Sequence, residues 1–81
     1  MIKAKVYVTL KSGVLDPQGK AVQHSLGSLG FSEVRGVRIG KFIEVSLEET
    51  DRTKASERIK AMCEKLLANT VIESYRFELC E

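Results

Sequence analysis

The chain has 81 residues, 43% of them apolar and 30% charged, with a formal net charge of +2. That length supports one hydrophobic core, so a single domain over residues 1–81 is expected. No apolar run approaches the roughly 18 residues of a spanning helix, and the N-terminus alternates lysine with apolar residues, unlike a signal peptide; a cytoplasmic protein without a membrane partner is expected.

The charge is unevenly spread. Residues 1–41 carry seven Lys/Arg against two Asp/Glu, and residues 42–81 carry six against nine. A basic side could dock an acidic partner, although solvated surfaces account for the same counts. Cys63 and Cys80 stand far apart with no ligand spacing around them, and both are expected to be reduced.

In chain order, Ile2, Ala4, Val6, Val8 and Leu10 alternate with Lys3, Lys5, Tyr7 and Thr9, the period of a strand with one wet face. A loop over residues 11–15 follows, with Val14 and Leu15 expected to tuck under the next element. Asp16-Pro17 opens a helix: the carboxylate caps free N–H groups, and proline at the first position sacrifices no hydrogen bond. Val22, Leu26 and Leu29 lie on one face, with Gly19 and Ser25 permitting a close neighbour. Gly30 is expected to stop the helix in the left-handed conformation, with Phe31 as its capping contact.

Residues 33–47 predict a β-hairpin. Two β-branched runs flank Gly40-Lys41, and a glycine-first loop suits a type II′ turn with Gly40 at positive φ. Ile39 would then face Phe42, and Gly36 would face Val45. One face would carry Val34, Ile43, Val45 and Leu47. The other would gather Val37, Ile39 and Phe42 beside Arg38, Gly40 and Lys41, an apolar centre with a charged rim that suits a partner or oligomer interface. A β-bulge at Gly36 would instead turn Val37 and Ile39 inward.

An acidic loop then supplies a cap, Asp51 or Thr53, for a second helix with Ala55, Ile59, Met62, Cys63 and Leu66 on one face and Leu67 beside it. Asn69 is a candidate left-handed stop. The last strand spans Val71 to Leu79, with Val71, Tyr75, Phe77 and Leu79 inward. The order strand, helix, strand, strand, helix, strand predicts an α+β, ferredoxin-like βαββαβ fold: a four-stranded antiparallel sheet with two helices on one face.

Catalytic chemistry is hard to place. His24 is the lone histidine and has no ligand-spaced neighbour, the Lys11-Ser12-Gly13 junction is no phosphate loop, and Glu48, Glu49 and Asp51 read as solvated or capping groups. Paired aromatics for base stacking are missing from the central strands, which argues against nucleic acid. No catalytic, cofactor-binding or metal residue is assigned.

Four stretches carry a family resemblance across nearly the whole chain: Val6-Tyr-Val-Thr-Leu-Lys-Ser-Gly-Val-Leu-Asp-Pro-Gln-Gly19, Leu29-Gly-Phe31, Val37-Arg-Ile-Gly-Lys-Phe-Ile-Glu44, and Met62-Cys-Glu-Lys-Leu-Leu-Ala-Asn69 with Val71-Ile-Glu73. Together they resemble PurS, the small subunit of the three-component phosphoribosylformylglycinamidine synthase. Ser12 and Thr70 depart from the family, standing where proline is frequent. The resemblance implies a non-catalytic assembly subunit of an ATP-dependent, glutamine-using amidoligase in de novo purine biosynthesis. It would form a homodimer or higher oligomer, join a glutaminase subunit to a synthetase subunit and assist ammonia transfer, with ATP and Mg on the synthetase. The alternative is an ACT-like domain binding a small molecule at residues 11–15. An acylphosphatase-like hydrolase would need an arginine in that loop, where only Lys11 stands.

Overall fold

Period-two alternation makes residues 2–10 the centre of the sheet. The structure, a computed structural model, describes residues 1–80. Its elements are β1 (Ile2–Leu10), α1 (Pro17–Ser28), β2 (Gly40–Leu47), α2 (Arg52–Met62), a π-helical turn (Cys63–Leu67) and β3 (Glu73–Cys80). The strands lie in the order β2–β1–β3, both pairings antiparallel. Ile2, Ala4, Val6 and Val8 are fully buried beneath α2, which contributes Ala55, Ile59 and, at the turn that follows, Cys63. Ile43, Val45 and Leu47 from β2, and Tyr75, Phe77 and Leu79 from β3, complete this one core.

The four-stranded sheet is not formed. Residues 33–39 make no strand, and the hairpin is absent: Gly40 pairs with Thr9, Phe42 with Tyr7 and Val45 with Ala4. The cause lies in competing partners for the backbone. The Ile39 N–H donates to the Asp16 carboxylate at 2.8 Å instead of to a neighbouring strand. Nor does Gly40 have positive φ; among the described residues only Gly13 and Gly30 do. Its requirement for glycine comes from close approach, because a Cβ there would lie 2.5 Å from the Val8 carbonyl oxygen.

Of the two α-helices, α2 covers the sheet, together with the π-helical turn that follows it. The expectation of both helices on one face is also overturned, since α1 makes at most glancing contact with the other elements. Residues 11–39 leave the sheet, form α1 and return as an arm. The radius of gyration is accordingly 16.1 Å, against about 12 Å for a compact chain of this length.

Three smaller expectations fail for local reasons. Leu66 is exposed because the helix widens before it, with the Ala68 N–H bonding to the Cys63 carbonyl, so the register changes from that of an α-helix. Val71 lies outside β3 and is exposed. Asn69 does not take positive φ; its side-chain oxygen accepts the Val71 N–H and makes the turn that way.

Candidate assembly surface

The arm is well built as a helix. Asp16 caps it through the Gly19 N–H at 2.8 Å, with Pro17 at the first position. At the other end Gly30 has φ of +100°, the Phe31 N–H donates to the Leu26 carbonyl and the Gly30 N–H to that of Gly27. These two bonds satisfy carbonyls that a helix end otherwise leaves open. The apolar stripe of α1 is nevertheless largely open: Leu26 is half-buried, but Val22 is 39% exposed and, just past the helix, Leu29 is 73% and Phe31 48% exposed. Leu15, expected to tuck inward, is exposed at the arm's base.

Of the interface residues expected from the sequence, the structure keeps Phe42 and Lys41 on the sheet and assigns Val37, Arg38 and Ile39 to the returning limb of the arm. Phe42 is 54% exposed on the wet face, its ring 5.2 Å from that of Tyr7. The Arg76 guanidinium sits 4.0 Å above the Tyr7 ring, a cation–π contact. Lys41 Nζ lies 3.6 Å from a Glu73 carboxylate oxygen, and Lys3 Nζ 3.7 Å from one of Glu44.

Sequence reasoning missed what Arg38 and the second oxygen of Asp16 do. Nη1 of Arg38 donates to the Val14 carbonyl at 3.1 Å, while Nη2 donates to those of Leu10 and Lys11 at 3.1 and 3.0 Å. Backbone carbonyls leave no signature in residue identity, so one sequence gives no sign of these bonds. Asp16 is buried, and N–H donation from Ile39 and Gly19 holds its carboxyl below the usual range, with help from the nearby Arg38 charge.

The acidic loop is occupied locally. Glu49 accepts from the Thr50 and Asp51 N–H groups, and Asp51 caps α2 through Thr53 and Lys54. His24 borders an open hollow of about 530 Å³ with Lys20, Phe31 and Val34. Burial pushes the Cys63 thiol up, away from the reactive thiolate. Among the described residues no group of three His, Cys, Asp or Glu is placed to hold a metal, and no helix is long and apolar enough to cross a membrane.

With the arm and the sheet in view, the chain can be set beside known proteins. The sequence profile described as PurS, phosphoribosylformylglycinamidine (FGAM) synthase, matches residues 3–81. The phosphoribosylformylglycinamidine synthase subunit PurS of Bacillus subtilis is 59% identical over 81 residues, covering 100% of this chain and 95% of that protein. This chain belongs to the PurS family. A crystal structure of B. subtilis PurS superposes with a TM-score of 0.90, with 100% of both chains covered. PurS of Methanocaldococcus jannaschii, described as one of the subunits of formylglycinamide ribonucleotide amidotransferase in the purine biosynthetic pathway, is 42% identical with a TM-score of 0.89, covering 100% of this chain and 98% of that one. A chain of the PurLQS structure from Thermotoga maritima gives a TM-score of 0.87 at 31% identity, with 99% of both covered. As a member of the PurS family, the chain is a subunit of FGAM synthase in purine biosynthesis.

Proposed function

We propose that this PurS-family chain is the non-catalytic joining subunit of its synthase, bringing a glutaminase subunit and a synthetase subunit together so that ammonia released by one reaches the other. ATP and Mg act on the synthetase side, and the assembly works in the cytoplasm. One observation carries the reading: a regularly capped helix holds its apolar stripe out into solvent, away from its own core. A helix that is apolar along one face is stable when another surface covers that face. A second copy of the chain is the first such surface, giving a homodimer or higher oligomer. The interface proposed at Phe42, Lys41, Gly40 and the limb Val37–Ile39 supplies further contact area toward the larger subunits.

Reconstitution tests the joining role. Adding the chain to the glutaminase and synthetase subunits is expected to raise glutamine-dependent turnover far more than turnover supplied with free ammonia, because only the first needs transfer between subunits. Equal effects on both would remove the joining role, and turnover of glutamine or ATP by the chain alone would remove its non-catalytic assignment.

A further inference from the structure

An arm that is attached to its domain by two single backbone connections has little reason to hold one direction. Residues 11–39 leave β1 after Leu10 and rejoin the sheet at Gly40, and α1 rests on neither sheet nor α2 by more than glancing contact. Yet the two limbs are tied to each other where they leave the core. Asp16, on the outgoing limb, divides its carboxylate: Oδ1 accepts from Gly19 in the first turn of α1, and Oδ2 accepts from Ile39 on the returning limb, each at 2.8 Å. Arg38, on the returning limb, spends its guanidinium on Leu10, Lys11 and Val14, all on or before the outgoing limb. The limbs also touch at Gly19, where a Cβ would stand 2.3 Å from the Val37 carbonyl oxygen.

We propose that Asp16 and Arg38 are positioning residues that form a clasp, setting the angle at which α1 leaves the sheet and presents its apolar stripe. This rests on the reading of the arm as an assembly surface, and adds how its direction is fixed. The alternative is that Asp16 is only a helix cap and Arg38 only a loop stabiliser. Geometry separates the two accounts, since each side chain bonds across the limbs and a cap alone needs one oxygen. Fixing the arm before association also removes an ordering cost from binding.

Two substitutions isolate the clasp. Asp16→Ser keeps a capping oxygen and gives up the reach to Ile39; Arg38→Lys keeps the charge but cannot span three carbonyls. Spin labels at Ser28→Cys on α1 and Ser46→Cys on β2, in a Cys80→Ser background, report the arm-to-sheet distance. Labelled chain diluted into excess unlabelled chain leaves only distances within one molecule. The parent is expected to give one narrow distribution, and each variant at least to double its width while circular dichroism still shows both helices and the sheet. A broad distribution in the parent, or an unchanged narrow one in Arg38→Lys, would overturn the clasp and assign the arm's direction to whatever covers it. Should Asp16→Ser fail to fold, Arg38→Lys decides alone. The reading is taken on the 81-residue chain without the larger subunits, so its failure is distinct from failure of the joining role, which turnover measures.

Discussion

The two helices carry similar apolar stripes and meet opposite fates. Ile59 of α2 is fully buried over β1, whereas Leu29 at the end of α1 is 73% exposed. Periodicity tells which face of a helix is apolar, and is silent about which molecule covers it. The sheet with α2 is a self-sufficient unit held by burial. The arm is held at its base by directed hydrogen bonds, and its open stripe is the surface proposed above for a partner.

The contrast is sharpest in paired substitutions. Ile59→Ala removes a side chain from the core and is expected to cost about 2–5 kcal/mol, read from denaturant unfolding. Leu29→Glu is expected to leave the fold of the isolated chain within about 0.5 kcal/mol while breaking association seen by light scattering. If Leu29→Glu unfolds the chain as Ile59→Ala does, the arm belongs to the core after all.

Glycines within α1 offer a finer cut. Gly19→Ala forces a Cβ into the Val37 carbonyl and the Asp16 carboxylate, so the arm's base must shift and thermal stability should fall. Gly27 has open space around it, and Gly27→Ala should stabilise the helix by about 0.4–1 kcal/mol. Melting temperatures moving the same way in both variants would remove the distinction between the arm's base and its shaft.

The smallest effects concern pH and have opposite signs in the two regions. Tyr75 in the sheet donates to Glu64 at 2.6 Å, and that bond with partial burial pushes its phenol up to about 12. A raised acid favours the protonated folded form, so this contribution is complete below pH 10 and is lost as pH rises through about 12. Ultraviolet titration should show a late-titrating phenol that Tyr75→Phe abolishes. Asp16 in the arm is lowered from 3.8, so its contribution is complete above that value and is lost as acid protonates the folded carboxyl below it. The arm-to-sheet distance should therefore loosen only in strong acid; loosening already near pH 5 would assign the change to another group.

Strongly periodic segments were legible in the sequence. The alternation of Ile2 to Leu10, the Asp16-Pro17 start, the Gly30 stop and the stripe Ala55–Ile59–Cys63 all appear as read, because each depends on neighbours in the chain. The hairpin was misread because a β-branched run beside a glycine-first loop satisfies turn chemistry locally, while the decisive partners, Asp16 and the Val8 carbonyl, lie far away in sequence. Val37 and Ile39 are half-buried, but on the arm's returning limb and not on a sheet face. Leu66 followed α-helical spacing into a turn of different pitch. Of the expected interface residues, Phe42 keeps the wet face assigned to it, and Arg38 acquires backbone partners that charge patterning could not suggest.

The missing hairpin has a consequence for how the chain reaches its native state. Every ladder in the sheet runs through β1, pairing Thr9 with Gly40 on one side and Lys3 with Cys80 on the other. No tight hairpin joins any two strands: β1 closes against β2 only across the whole of residues 11–39, and against β3 only across most of the chain, so the loop entropy must be spent before any pairing rewards it, and folding should be slow for so small a domain. During synthesis β1 emerges before both of its partners, and its second edge stays open until β3 has also left the ribosome. Until then the most apolar strand in the molecule is an unfilled template for any extended segment nearby.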